Sequence, residues 1–308
     1  MNWSAHLDAH EGRYLSELQE LVSIASVSTD PTHRGDMTRA CDWLCRWALE
    51  LGMTAEIWPT SGHPSVYIET PAVAGKPVLL IYGHYDVQPA EPLDLWTSPA
   101  FEPTLRDGRI YARGSVDDKG QLYLHIKALE AHLAVRGTLP VNVIVIAEGE
   151  EEVGSVNLEN FLEREKVRLA CDAVVISDST MFAPGIPSIL SSLRGMAYVQ
   201  IDVRGASGDL HSGMYGGAVV NPAMALARIL ATMHDADGRI AIDGFYDAVR
   251  PFPDAVRVGM RALPFSDEGL MHEVGVSALG GEPGYTTLER LWTRPTCEVN
   301  GLLSGYTG

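Results

Sequence analysis

Residues 78–89 read VLLIYGHYDVQP, an unbroken apolar run followed by a glycine and a polar cluster. The run from Val78 to Tyr82 has the length of one strand and no charged position, which is typical of a strand buried on both faces of a sheet. Residues that follow such a strand lie at the carboxyl edge of an open α/β sheet, where ligands bind. The stretch therefore predicts a core strand with His84 and Asp86 at its functional end.

Apolar runs of strand length alternate with segments of helical periodicity on both sides of this strand. The predicted helices cover residues 14–22, 37–51, 122–133 and about 158–164, and the other predicted strands cover residues 141–147 and 173–177. Buried strands that alternate with amphipathic helices indicate an α/β domain, layered around a mostly parallel sheet.

The pattern changes in the second part of the chain. Residues 197–203 alternate in the manner of a strand with one solvated face. Asn221 and Pro222 then suit the cap and the first position of a helix. These features indicate a smaller α+β domain, so the predicted domains are residues 1–192 and 193–308.

Composition excludes several classes of function. The formal net charge of −17 argues against a nucleic-acid partner, because phosphate backbones are bound chiefly by clustered Lys and Arg. No apolar run is long enough for a signal peptide or a membrane span, so we expect a cytoplasmic protein. The four cysteines form no disulfide framework in a chain of 308 residues. Cys41 and Cys45, one helical turn apart, are predicted to be reduced core residues.

Acidic residues cluster at three further points along the predicted sheet. Asp117 and Asp118 precede a helix, EGEEE at residues 148–152 follows a strand, and Asp178 follows another. Each cluster alone has an ordinary explanation, such as a favourable charge at a helix start or a solvated loop. Together with His84 they place oxygen and nitrogen ligands at one sheet edge, which is the arrangement that a divalent metal needs. The sequence has no nucleophile elbow, P-loop or dinucleotide fingerprint.

Five motifs, taken in order, resemble the M20 family of metallopeptidases and are especially similar to its cytosolic dipeptidase and carnosinase branch. They read GHYDVQP, GRIYARGSVDDKG, EGEEEVGS, ISDS and DLHSGMYGG, and the resemblance spans nearly the whole chain. The resemblance implies a zinc-exopeptidase-like catalytic domain and a ferredoxin-like lid domain that forms a homodimer.

The resemblance also implies a ligand set for two divalent cations, Zn or Mn. Asp117 is expected to bridge the two metals, with a cis peptide after it. His84 and Asp178 are expected to bind one metal, and Glu152 the other. The family's last ligand is a histidine near its far C-terminus, and nothing after Gly305 supplies one. We therefore expect a truncated chain that is inactive by itself.

Three other residues take roles in catalysis by the same resemblance. Asp86 is expected to orient His84, and Glu151 to act as general base toward the water between the metals. His211 is expected to reach across a dimer to the partner's active site and stabilise the oxyanion.

The predicted activity is hydrolysis of dipeptides or short peptides with a free amino terminus. An aspartate at position 178 accompanies dipeptidases in this family, whereas glutamate accompanies deacylases and carboxypeptidases. The alternatives are an N-acyl amino acid deacylase of the same family and an inactive metal-binding or dimerisation fragment.

Overall fold

A computed structural model describes residues 2–305 of the chain. It divides into two compact units, Met1–Ser188 and Ile189–Gly308. The predicted domain boundary, after residue 192, lies close to this division. The assignment of the two units as catalytic and lid domains stays a prediction.

The first unit contains four α-helices and seven strands among its described residues. The helices are α1 (Trp3–Ser23), α2 (Arg34–Glu50), α3 (Lys119–Arg136) and α4 (Leu158–Glu165). The strands are β1 (Thr54–Trp58), β2 (Ser65–Glu69), β3 (Val78–His84), β4 (Thr104–Arg106), β5 (Arg109–Tyr111), β6 (Asn142–Glu148) and β7 (Ala173–Ile176). The predicted helices and core strands are thus confirmed with shifted ends.

The main sheet has the strand order β1-β2-β6-β3-β7. β3 pairs in parallel with both β6 and β7, so the strand that ends at His84 lies between two parallel neighbours. β1 and β2 pair antiparallel with each other, and β2 pairs antiparallel with β6. The prediction of a mostly parallel sheet is therefore wrong, and the sheet is mixed. The cause is the short connection at residues 59–64, which permits an antiparallel hairpin but no parallel crossover.

Helices cover both faces of this sheet because alternate strand residues point to opposite sides. Ile81 and Val145 belong to a core cluster with residues of α1, α2 and α3. Leu80 and Ile144 belong to a second cluster, which includes Phe161 of α4. The layered α/β architecture follows from this two-sided burial. Cys41 is buried in the first cluster and all four cysteines are free, as predicted.

Short helices are the regular elements of the second unit, and most of its other described residues are irregular. It contains α5 (Ser212–Tyr215), α6 (Pro222–Ala231), α7 (Asp254–Arg261), α8 (Asp267–Val274) and α9 (Thr287–Thr293). The Asn221 side chain accepts hydrogen bonds from the backbone N–H groups of Ala223 and Met224, which confirms the predicted cap.

The strand predicted at residues 197–203 is wrong. This segment is irregular, and Tyr198 and Val199 are exposed. An alternating segment forms a strand only beside a partner, and residues 189–305 offer just one isolated bridge, between His234 and Ile240. The α+β character is therefore not found there, and the ferredoxin-like lid stays a prediction. Residues 306–308, part of the predicted truncated end, lie outside the described residues.

No helix within residues 2–305 is long and apolar enough to cross a membrane.

Candidate active site

His84 is the last residue of β3, and its side chain has no exposed surface. Its backbone N–H donates a hydrogen bond of 3.1 Å to the Asp118 carboxylate. Its ring Nδ1–H donates to the backbone carbonyl of Asp86 at 3.0 Å, and the Asp86 carboxylate lies 3.4 Å from the same nitrogen. Because Nδ1 is engaged, Nε2 is the ring nitrogen left for a ligand.

Carboxylates from three other segments surround Nε2 of His84. The nearest oxygens of Asp117, Asp178 and Glu151 lie at 3.0, 3.7 and 4.0 Å from it. The potential metal-binding atoms form two groups, and within each group all atoms lie within 4.8 Å of one another. The first group is His84, Asp117 and Glu152, and the second is His84, Glu151 and Asp178. The structure thus brings together the His84, Asp117, Glu151, Glu152 and Asp178 side chains that the sequence predicts.

The segment before α3 presents Asp117 and is fixed by its neighbours. The peptide between Asp117 and Asp118 is cis, as the resemblance implies. Asp118 is buried beneath the site, and its second carboxylate oxygen, Oδ1, has no hydrogen-bond partner among residues 2–305. The buried Lys119 donates from Nζ to the carbonyl oxygen of Ile24, 2.6 Å away. These contacts anchor the loop that carries Asp117.

Asp86 holds the acidic loop after β6 as well as the imidazole. Its carboxylate accepts hydrogen bonds from the backbone N–H groups of Glu151 at 3.3 Å and Glu152 at 3.1 Å. The Glu152 carboxylate also accepts a hydrogen bond of 2.8 Å from the Gln88 amide. Asp86 therefore orients a predicted ligand and, in addition, the predicted base, by contacts that sequence spacing does not show.

The carboxylates repel one another. Burial and neighbouring carboxylates raise the pKa of Glu151, Glu152 and Asp178 above their usual range. Burial of the His84 ring opposes its charged form, but the hydrogen bond and charge of Asp86 and the charges of Asp118 and Glu151 outweigh it. They raise the pKa of His84 to about 10.

This donor set fits divalent cations. One imidazole nitrogen and carboxylate oxygens are ligands that zinc and manganese accept, and a cation would relieve the repulsion that raises the carboxylate pKa values. The residues that could hold such ions are His84, Asp117, Glu152 and Asp178.

His211 lies in the second unit. It precedes α5, and its Nδ1 accepts a hydrogen bond of 3.1 Å from the Gly213 N–H. Its action across a dimer stays a prediction.

Sequence reasoning missed Asp118, Lys119 and Gln88 as parts of the site. All three lie inside motifs that the sequence analysis identified, so their proximity in sequence to the predicted site residues could have indicated them. Their contacts depend on tertiary structure, since Lys119 reaches α1's C-terminal end and Gln88 reaches the loop after β6.

Comparison with known proteins agrees with this architecture. The Cys-Gly metallodipeptidase dug1 of Schizosaccharomyces pombe is 33% identical over 98% of this chain and 66% of its own length. The human Beta-Ala-His dipeptidase is 31% identical over 98% of this chain and 62% of its own length. The chain thus spans slightly less than two thirds of these relatives.

Among solved structures, the M20 family metallo-carboxypeptidase Sso-CP2 from Sulfolobus solfataricus matches with a TM-score of 0.77 and 35% identity. The match covers 96% of this chain and 66% of that protein. Residues 80–301 match the profile of "Peptidase family M20/M25/M40", a span that contains every residue of the candidate site. The profile match over most of the chain confirms what the motifs indicate: the chain belongs to peptidase family M20/M25/M40.

Proposed function

We propose that this protein hydrolyses the peptide bond of dipeptides, or of short peptides with a free amino terminus, with the help of two divalent cations. The observation that carries the proposal is that His84 and four carboxylates meet at one sheet edge. They form two groups of potential ligands, and the ligand atoms of each group lie within 4.8 Å of one another. The names of two relatives, a Cys-Gly metallodipeptidase and a Beta-Ala-His dipeptidase, support the same class of substrate.

Asp117 is the proposed bridge between the two ions. Its negative charge raises the pKa of both Glu152 and Asp178, so it lies close enough to influence each of them. His84 and Asp178 would then hold one ion and Glu152 the other. Although His84 belongs to both donor groups, it has only one free ring nitrogen, whereas a carboxylate offers two oxygens. When bound, Zn or Mn would polarise the scissile carbonyl and acidify water.

Glu151 is the proposed general base. Its carboxylate is partly exposed at the rim of the site, and its backbone N–H is fixed by Asp86. Its carboxylate lies 4.0 Å from His84 Nε2, so it is close enough to the proposed ions to accept a proton from water there and release it again. Glu151 would take a proton from the attacking water and pass it to the leaving amine.

The test is the Glu151→Gln variant, assayed with Cys-Gly and with β-Ala-His in the presence of zinc or manganese. We expect unchanged metal content and a turnover rate lower by about 10² or more, the usual contribution of a general base. Glu159→Gln, on the exposed side of α4, is the matched control. An unchanged rate in Glu151→Gln would refute the assignment. Metal binding without turnover in the unaltered chain would favour the inactive metal-binding alternative.

Two other hydrolases share this chemistry. The N-acyl amino acid deacylase is the alternative from the motifs, and a carboxypeptidase is favoured by the likeness to a metallo-carboxypeptidase of 35% identity. Asp178 supports the dipeptidase. Parallel assays with a free dipeptide, an acetylated amino acid and an N-blocked dipeptide separate the three. Faster turnover of either blocked substrate would reject Asp178 as a dipeptidase marker.

The proposed assembly is a homodimer formed by the second unit, in which His211 acts at the partner's site. The proposed location is the cytoplasm. The His211→Ala variant tests the assembly's role. We expect a lower rate with unchanged metal content, because His211 is not among the proposed ligands. Mixing His211→Ala with Glu151→Gln should restore part of the activity if the histidine acts across the dimer.

A further inference from the structure

The first two turns of α3 contact the loop that carries Asp178. Gln121 and His125 are four residues apart on this helix, so their side chains lie on the same face. That face is directed to the end of β7, where residues 177–179 form the loop. Since α3 begins two residues after Asp117, one helix adjoins two of the proposed metal ligands.

The Gln121 amide contacts both ligand-bearing segments at once. Its Nε2 donates a hydrogen bond to the carbonyl oxygen of Val116, the residue before Asp117. The same nitrogen donates to the carbonyl oxygen of Ser179, the residue after Asp178, at 3.4 Å. An amide NH2 has two hydrogens, so it can serve both acceptors and tie the two backbone segments to each other.

His125 contacts the same loop from the other side of Asp178. Its Nε2 forms a hydrogen bond with the hydroxyl group of Ser177. Burial lowers the pKa of His125, which keeps the ring neutral at neutral pH. The loop is therefore held on both sides of Asp178, at the Ser177 hydroxyl by His125 and at the Ser179 carbonyl by Gln121.

The Asp178 carboxylate has little else to fix it. It lies 3.7 Å from His84 Nε2, which is beyond hydrogen-bond distance, and about a third of its side chain is exposed. Glu152 differs, because Gln88 donates to its carboxylate directly at 2.8 Å. The position of Asp178 thus depends on the backbone that carries it.

We propose that Gln121 and His125 are positioning residues that fix the distance between the carboxylates of Asp117 and Asp178. They thereby set the affinity of the site for the cation that Asp178 binds. This inference rests on the proposed function. Neither residue touches the reacting atoms in this arrangement. His125 acts only through the loop after β7, so its effect should be confined to the ion that depends on Asp178. Gln121 also holds the segment before Asp117, so its effect should extend to both ions.

The test is a calorimetric titration of the metal-free 308-residue chain with Zn²⁺. Two reference variants, Asp178→Asn and Glu152→Gln, identify which zinc equivalent depends on which ligand. In His125→Ala we expect the Asp178-dependent equivalent to bind about 10- to 100-fold more weakly, as is usual when a residue supporting a metal ligand is removed. The Glu152-dependent equivalent should stay within about twofold, since its ligand is held by Gln88.

Two controls separate positioning from general damage. His132→Ala removes a histidine of the same helix whose ring packs at a tilt against Trp3, and it should leave both zinc equivalents unchanged. His125→Gln should restore most of the affinity, because an amide can bond the Ser177 hydroxyl. The double variant His125→Ala/Ser177→Ala should bind zinc no more weakly than either single variant, because the pair acts through one bond.

Several results would overturn the inference. These are an unchanged Asp178-dependent equivalent in His125→Ala, equal weakening of both equivalents, or losses that add in the double variant. If His125→Ala does not fold, Ser177→Ala provides the same comparison, with the same selective loss expected. Gln121→Met, which also releases Val116 beside Asp117, should weaken both equivalents. Failure of the proposed function looks different. If the unaltered chain binds zinc but hydrolyses no peptide, the proposed hydrolysis fails and this inference stands, whereas an unaltered chain that binds no zinc at all would end both.

Discussion

His84 combines a buried ring with a high affinity for protons. Its pKa of about 10 means that the metal-free ring is charged at neutral pH, although it has no exposed surface. Burial and neighbouring carboxylates also raise the pKa of Glu151, Glu152 and Asp178, so these groups bind protons more readily than free carboxylates do. Cations bind the neutral ring and the ionised carboxylates, so they compete with these protons.

This competition predicts the pH dependence of zinc binding. At pH 7 the metal-free site holds a proton on His84 that bound zinc displaces, so binding should release at least about one proton and tighten about tenfold per pH unit. Calorimetry in two buffers of different ionisation enthalpy counts the protons. An uptake of protons, or a count near zero, would contradict the arrangement of charges around Nε2.

Gly83 permits a close approach between β3 and the loop before α3. A Cβ atom at this position would lie 2.7 Å from the Asp118 carboxylate and 3.2 Å from Leu122. Gly83→Ala should therefore displace Asp118, which binds the His84 backbone, and lower the free energy of unfolding by about 1–3 kcal/mol, typical of overpacking.

Gly12 offers the matched control. It lies within α1, and a Cβ atom there meets nothing within 4 Å. Gly12→Ala should stabilise the chain by up to about 1 kcal/mol, because alanine favours a helix more than glycine does. Urea unfolding of the metal-free variants measures both effects. Equal changes in the two variants would show that crowding at Asp118 is not the cause.

At the scale of elements, the packing of α1 against α3 includes a buried lysine. Lys127 Nζ donates to the Glu130 carboxylate at 2.7 Å and also to Glu17, and its side chain is almost fully buried. Burial opposes ionisation of both glutamates, but hydrogen bonds from Lys127 and Arg13 outweigh it and lower their pKa. Their stabilising effect is present at neutral pH and is lost as pH falls through these lowered values.

Lys127→Ala would leave the buried Glu130 carboxylate with Arg13 as its remaining cation. We expect a loss of about 2 kcal/mol in the free energy of unfolding, below the usual cost of about 3 kcal/mol for a buried charge left without a partner. Lys166→Ala removes a lysine from an exposed pair with Glu163 and should cost less than about 1 kcal/mol. Urea unfolding at pH 7 compares the two. A loss no larger than that of Lys166→Ala would show that the charge of Lys127 does not stabilise the packing of α1 against α3.

Which elements could be predicted depends on how much each is buried. The continuous apolar runs of β3 and β6 predict buried strands from the sequence alone, because a strand buried on both faces has apolar residues at successive positions. β1 has the sequence TAEIW, which mixes polar and apolar residues. Five positions are too few to distinguish a strand from a loop by pattern. Residues 197–203 have the pattern of a strand but no partner among the described residues, and pattern alone cannot supply one.

At the scale of the molecule, topology accounts for the site. Because β3 lies between β6 and β7 in parallel, the segments after all three strands meet at one edge. The order of motifs was enough to predict this meeting. It could not predict which side chains support the ligands, because the contacts of Gln88, Gln121 and His125 join residues 52 to 64 positions apart.

All proposed ligands from this chain lie in the first unit, so zinc should stabilise that unit selectively. At a zinc concentration of 100 times Kd the stabilisation is about 2.7 kcal/mol. Hydrogen–deuterium exchange should show slower exchange at residues 84–88, 148–153 and 177–179, and no change in α7 and α8. Comparable slowing in α7 and α8 would place zinc binding elsewhere.

The contrast in exposure between His84 and Asp117 bears on how a cation leaves. The imidazole has no exposed surface, whereas 61% of the Asp117 side chain is exposed. A departing ion must therefore escape past the carboxylates, and a chelator can approach only from that side. Kinetic resistance to chelators would then reside in Asp117 and the acidic rim rather than in the histidine, whose bond to the ion breaks out of reach of solvent.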